Sequence, residues 1–183
     1  MVLILFGSTF EKQMLSNDIT ILFGEKTDLP EIVGIYNQAI RSGLITGDTE
    51  EFKPEDRIDW FNSFQRDSYP IYVAKTDSKV VGYCTLSPYR CGRKALDNVA
   101  DISYYVDDDF HRRGIGKALI QYAIDDGKRI KKENLLATLI ETNTPSICLL
   151  EKLNFRQWGY YPKIFHFEGK KYSHLIYGLK IEQ

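Results

Sequence analysis

The sequence predicts an α/β fold: a single domain with a mixed, mainly antiparallel central sheet flanked by helices. Three observations carry this. β-branched and aromatic runs are interspersed with amphipathic runs at helical spacing, without a strict strand–helix repeat. The 183 residues contain no internal repeat, low-complexity tract or interdomain linker, which suits one domain. Residues 100–129 read as a strand, a basic glycine-punctuated turn and a helix in direct succession.

The elements follow in order. Residues 1–18 read as an extension, and the domain proper as 19–183. Residues 1–6 are apolar but too short to span a membrane, and they lack the flanks of a signal peptide. Residues 19–23 are a β-branched run closing at Gly24. Thr27-Asp28 offers an N-cap and Pro30 a first turn. Ile32, Ile35, Tyr36, Ala39 and Ile40 then recur at helical spacing up to Gly43. Residues 46–49 form a polar turn. Pro54 opens a second helix with Ile58, Trp60, Phe61 and Phe64, read as core, and Ser68-Tyr69-Pro70 breaks it. Residues 71–74 and 80–86 read as paired strands. A cationic loop at 87–96 precedes the strand at 100–106, and residues 107–109 read as a solvated acidic turn. Ile115, Leu119, Tyr122 and Ala123 mark a helix. Strands are expected at 135–140, 155–160, 164–167 and 174–179, with a short helix at 143–153.

Composition narrows the function classes. Apolar content is 43% and charged content 27%, as in soluble globular proteins. The net charge of −1 argues against nucleic acid as the main partner. The histidines His111, His166 and His174 lack metal-ligand spacing, so no metal is expected. Cys84, Cys91 and Cys148 are scattered without a Cys-x-x-Cys pair, which fits reduced thiols in a cytoplasm.

The turn at 111–117 carries the strongest chemical signal. Gly114 and Gly116 allow close backbone approach, the helix N-terminus offers unpaired N–H groups, and Arg112, Arg113 and Lys117 add charge. Together they make an anion cradle suited to phosphate. A Walker loop is excluded, because Gly116-Lys117 is followed by Ala118 and His111 stands where its first glycine belongs. The dinucleotide fingerprint fails at Leu119. His111-Arg112-Arg113-Gly114-Ile115-Gly116 instead resembles the pyrophosphate loop of the GCN5-related N-acetyltransferases, with His111 in place of Arg or Gln.

Collinear features extend the resemblance over residues 19–180, to the phosphinothricin acetyltransferase-like branch. They include Asp28-Leu29-Pro30, Thr46 with Asp48-Thr49-Glu50, Arg57 with Trp60, Tyr69-Pro70, Gly82-Tyr83, Arg93 with Ala95, Ser103 with Tyr105-Val106, and Asn143 with Ser146. The chain departs from the branch at Asp101 (usually Glu), Arg112 and Asn154 (each usually Gly) and Leu96 (usually Tyr). Leu150 stands where many superfamily members have a general-acid Tyr.

The resemblance implies acetyl-CoA as cosubstrate and a small-molecule amine as acceptor. It implies CoA contacts from the strand Tyr104, Tyr105 and Val106, from the loop His111, Arg112, Arg113, Gly114, Ile115, Gly116 and Lys117, and from Asn143. Asn143 also suits a helix N-cap. The acceptor ammonium must lose a proton before attack, and Asp101 is the candidate base. Its other reading is a polar residue on the solvent side of an alternating strand. Arg90 and Arg93 either bind an acceptor carboxylate or are solvated loop charges. An amino acid or analogue of the phosphinothricin or methionine sulfoximine type is the expected acceptor. The alternatives are a non-catalytic acyl-CoA-binding module and an acetyltransferase for protein or polyamine amines. A homodimer is open.

Overall fold

A computed structural model describes residues 13–16 and 19–182. Its sheet has eight strands in the order β1-β2-β3-β4-β5-β6-β8-β7. The strands are β1 (Gln13–Ser16), β2 (Ile19–Phe23), β3 (Ile71–Thr76), β4 (Lys79–Pro88), β5 (Val99–Val106), β6 (Asn134–Ile140), β7 (Arg156–Phe167) and β8 (Lys170–Lys180). All neighbouring pairs are antiparallel except β5–β6. That parallel pair is joined by the crossover helix α3 (Ile115–Arg129), as parallel strands require. The other helices are α1 (Leu29–Ser42), α2 (Ile58–Asn62) and α4 (Thr144–Lys152). The expected mixed, mainly antiparallel sheet is therefore present. Most of the expected extension at 1–18 lies outside the described residues; within it, β1 pairs with β2 at the sheet edge.

Alternation along the strands sends side chains to two cores. On one face, Ala100 and Ile102 of β5 join Leu135 and Ala137 of β6 and Leu175 and Tyr177 of β8. Ile115, Leu119, Ile120 and Ala123 of α3 seal that face together with Leu150 of α4. Leu119, Ile120 and Leu150 are fully buried, each stabilising by roughly 1.5–3 kcal/mol. On the other face, Ile32 and Ile35 of α1 pack on Val73, Val80 and Tyr83, with Trp60, Phe61 and Phe64 at the margin.

Three local expectations are corrected. The second helix is a 3-10 turn (Pro54–Arg57) followed by only five residues of α-helix, and Phe64 lies beyond its end. The two strands expected at 155–160 and 164–167 are one strand, β7, with register shifts at 157–159 and 161–165. Irregular pairing hides such a strand from a period-2 reading. In the acidic turn, Asp107 is buried: its carboxylate accepts the Asp109 N–H at 3.0 Å and faces Lys79 Nζ at 3.4 Å.

Asp28 also does something other than cap α1. Its carboxylate accepts the Glu25 N–H at 3.0 Å and pairs with Lys75 Nζ at 2.6 Å, tying the start of the helix to β3.

Candidate active site

β5 organises the site because its pairing is unequal on its two edges. Toward β4 it is paired from Ala100 to Val106. Toward β6 it is paired only from Val99 to Asp101. Beyond Asp101 the two parallel strands separate, and the β5 edge at 102–106 has no partner in β6. An unpaired strand edge is a template for an extended ligand with its own amides.

A groove of about 660 Å³ follows that edge. Its walls include Tyr104, Tyr105 and Val106 of β5, His111, Arg112, Gly114, Ile115, Gly116 and Lys117 of the turn, and Asn143 of the β6–α4 junction. Ten of the eleven residues expected to hold CoA thus share one cavity. Arg113 does not. Its guanidinium donates to the Asp109 carbonyl at 3.1 Å and lies 4.6 Å from the Phe110 ring centroid, which stiffens the turn.

The turn's geometry suits an anion. Gly114, at φ +81°, caps α3 in the left-handed region, where glycine is favoured. Ala118 N–H donates to the Gly114 carbonyl at 3.0 Å. The N–H groups of 115–117 precede that first helical bond, and the N-cap has no side chain to take them. Arg112 also adopts a left-handed φ of +61°, at a position where the resembled branch has glycine. Asn154, the second such departure, has φ +66°. The backbone shape is kept at both places although the glycines are gone. His111 Nε2 lies 3.0 Å from the Val106 carbonyl, pinning the turn to the end of β5. Asn143 Oδ1 accepts the Ser146 N–H at 3.3 Å, so it is an N-cap as well as a groove residue.

Asp101 lies at the fork, opposite Ser87 of β4 and Leu136 of β6. Burial raises its carboxyl to about 6, against a smaller lowering by Arg90. A carboxylate with that value is a usable base near neutral pH. Strand alternation places Asp101, Ser103 and Tyr105 on the α1 side of the sheet, opposite Tyr104. Arg90 is exposed, and the Arg93 N–H donates to its carbonyl at 3.2 Å. Arg90 thus stands near Asp101. Arg93 is exposed on the same turn, and its side chain makes no hydrogen bond or ion pair among the described residues.

Other groups on the α1 side were not foreseen as site residues. Tyr36 donates to Asp48 Oδ2 at 2.5 Å and lies 2.6 Å from Thr46 Oγ1. Its ring meets Tyr105 edge-on at 5.0 Å. Arg57 lies over the rings of Tyr36, Phe52 and Trp60 at 5.4, 4.6 and 4.5 Å. Ile35, Ala39 and Ile45 line the groove from α1 and its following loop. Thr46 with Asp48, and Arg57 with Trp60, carried a signal in the sequence as features shared with the resembled branch, but no site role was read from them.

The comparisons agree with this geometry. Residues 35–155 match the model of the acetyltransferase (GNAT) family. The chain belongs to that family. It is 34% identical to YwnH of Bacillus subtilis (strain 168) over 164 residues, 89% of this chain and 99% of that one. It is 31% identical to a phosphinothricin N-acetyltransferase of Streptomyces coelicolor over 160 residues, 85% of this chain and 90% of that one. The solved structure of an N-acetyltransferase from Staphylococcus aureus Mu50 superimposes with a TM-score of 0.85 at 28% identity, covering 91% of this chain and all of that one. The chain is an acetyl-CoA-dependent N-acetyltransferase. The groove fits that cosubstrate: an uncapped helix N-terminus flanked by basic residues, an open strand edge, and a buried hydroxyl, Tyr104 Oη, without a well-formed hydrogen bond. Among the described residues no group of three His, Cys, Asp or Glu could hold a metal, and no helix is long and apolar enough to cross a membrane.

Proposed function

We propose that the protein acetylates the α-amine of a small amino acid or amino-acid analogue, with Asp101 as base. The carrying observation is the Asp101 carboxyl, raised to about 6 by burial at the fork of β5 and β6, with Arg90 beside it. A carboxylate takes the ammonium proton, and a guanidinium nearby binds the acceptor's own carboxylate or phosphinate. The similarity to a phosphinothricin N-acetyltransferase supports an acceptor of this kind.

Acetyl-CoA supplies an activated acetyl group as its thioester. The N–H groups of residues 115–117, with Arg112 and Lys117, hold its pyrophosphate. The open edge of β5 at 104–106 bonds its amides, and Asn143 contacts it from the start of α4. A backbone N–H on the same edge polarises the carbonyl, worth roughly 3 kcal/mol in comparable sites. Asp101 accepts the amine proton directly or through a water.

The same reading puts the enzyme in the cytoplasm, which the unpaired cysteines Cys84, Cys91 and Cys148 support. It includes a homodimer, supported by the exposed Trp158, Tyr160, Tyr161 and Ile164 on edge strand β7. Free thiol released from acetyl-CoA in the presence of phosphinothricin, methionine sulfoximine or free amino acids tests the activity. Thiol release with none of them would overturn the acceptor class.

A further inference from the structure

Tyr104 carries a buried hydroxyl with no well-formed hydrogen bond. Its oxygen is closed to solvent, and the Ser146 hydroxyl approaches it without meeting hydrogen-bond geometry. Burial pushes the phenol up to about 12, and the neighbouring Ser146 hydroxyl offsets only part of that rise. An unpaired buried hydroxyl destabilises the fold, and phenylalanine would fill the same space without that cost. Such a group calls for a partner that arrives from outside the fold.

Its position indicates which partner. Tyr104 lines the groove with Asn143 and Ser146. It lies between two points on β5. One is Val106, beside the anion turn: a Cβ added at Gly116 would stand 3.7 Å from Val106 Cγ2. The other is Asp101, where pairing with β6 ends. These are roughly 17 Å apart along an extended strand. A ligand with its pyrophosphate at the first and its reacting carbonyl near the second runs past Tyr104. Leu150, aliphatic and fully buried, offers no donor.

Resting on the acetyl-transfer reading above, we propose that Tyr104 Oη donates a hydrogen bond to the CoA sulfur as the thiolate leaves, and keeps its proton. The amine lone pair forms the C–N bond, and the C–S bond breaks with its electron pair staying on sulfur. The proton lost by nitrogen passes to the Asp101 carboxylate and on to water. Tyr104 supplies one O–H···S contact, and sulfur takes its proton from solvent afterwards. Full transfer from Tyr104 would be uphill, since a phenol near 12 is a weaker acid than an alkyl thiol. The Cys84 thiol, opposite Tyr104 in β4, is pushed up by burial and stays neutral. On the turn side of the groove, Asp108, His111, Arg112 and Lys117 are the charged or titratable neighbours.

The test compares CoA with desulfo-CoA, in which hydrogen replaces the thiol. Binding of each is titrated between about pH 7 and 10, following thiolate absorbance, in the wild-type protein and in Tyr104→Phe. In the wild type the bound thiol should titrate below the thiol of free CoA measured in the same buffer. In Tyr104→Phe it should titrate about one unit higher than in the wild type, with thiolate binding roughly 10-fold weaker. Desulfo-CoA should bind both proteins equally. The variant's kcat should fall roughly 10- to 100-fold with the amine KM unchanged. An unshifted bound thiol in the wild type overturns the proposal whether or not the variant folds. So does equal loss of CoA and desulfo-CoA affinity in the variant. A wild-type protein that shifts the thiol but transfers no acetyl group would instead count against the acetyl-transfer reading.

Discussion

Asp101 combines two opposing requirements in one side chain. Half-burial at the fork raises its carboxyl to about 6, and the same burial makes its ionisation costly to the fold. Between about pH 4 and 6 the folded chain holds more protons at this site than the unfolded chain, so Asp101 lowers stability as pH rises through that window. Asp101→Asn should therefore gain in unfolding midpoint relative to wild type as pH rises from about 4 to 7. The same variant should bind CoA normally and lose the rate limb with apparent pKa near 6, with activity partly recovering at higher pH as free amine accumulates. A wild-type-like pH–rate profile in the variant would make Asp101 structural. Arg112 shows a similar conflict: a left-handed φ of +61° strains a non-glycine residue, while the charge faces the groove. Arg112→Gly should raise stability by about 1 kcal/mol, measured by denaturant titration, and weaken CoA binding. Asp101 was named as a candidate from the carboxylate that the resembled branch has at that place; strand alternation alone reads it as a solvent-side polar residue, and its burial at the fork left no mark in the sequence. Tyr104 as a distinct donor was not, because periodicity tells which face a side chain takes and not whether its hydroxyl finds a partner. The placement of Arg113 was hidden for the same reason: its charge was visible, its bond to the Asp109 carbonyl was not.

At the scale of elements, the anion turn and α3 act as one rigid piece. α3 is anchored at its far end by buried Asp126, which accepts Tyr72 Oη at 2.7 Å and Arg129 Nε at 2.6 Å; Arg129 reaches on to Asp67 at 2.9 Å. Tyr72→Phe should cost about 1–3 kcal/mol in urea unfolding, because it leaves the buried Asp126 with one partner fewer. At the near end, a Cβ at Gly116 would meet Leu149 Cδ2 at 3.4 Å, an ordinary contact, so the fold itself admits a side chain there. Gly116→Asp should accordingly fold, yet lose most CoA affinity by calorimetry, since its carboxylate faces the anion site. Normal CoA titration in that variant would remove the turn from the site. Strands β2 to β6 and helices α1, α3 and α4 were readable to within a few residues, because each has one buried face and clear ends at Gly24, Gly43 or Pro145. The open edge of β5 was not readable, because separation of two parallel strands leaves no mark in either strand's hydrophobic pattern.

Across the whole molecule, the sheet has one face sealed by α3 and α4 and another carrying α1, and the fork of β5 and β6 joins them. The cofactor groove approaches along the open edge, and Asp101 with Arg90 stands where the pairing closes. That arrangement suits the proposed acceptor, which bears an anionic group beside its amine. A polyamine or a cationic peptide would instead favour an acidic groove, and Arg90, Arg93 and Lys94 give the 87–96 loop the opposite sign. The most direct measurement is steady-state thiol release from acetyl-CoA with phosphinothricin, methionine sulfoximine, free amino acids, spermidine and a lysine-containing peptide, repeated in Arg90→Ala. We expect turnover with at least one of the small anionic amines and a KM for it raised roughly 10-fold or more in Arg90→Ala, with kcat less affected. Turnover confined to spermidine or the peptide, or an unchanged KM in Arg90→Ala, would contradict it.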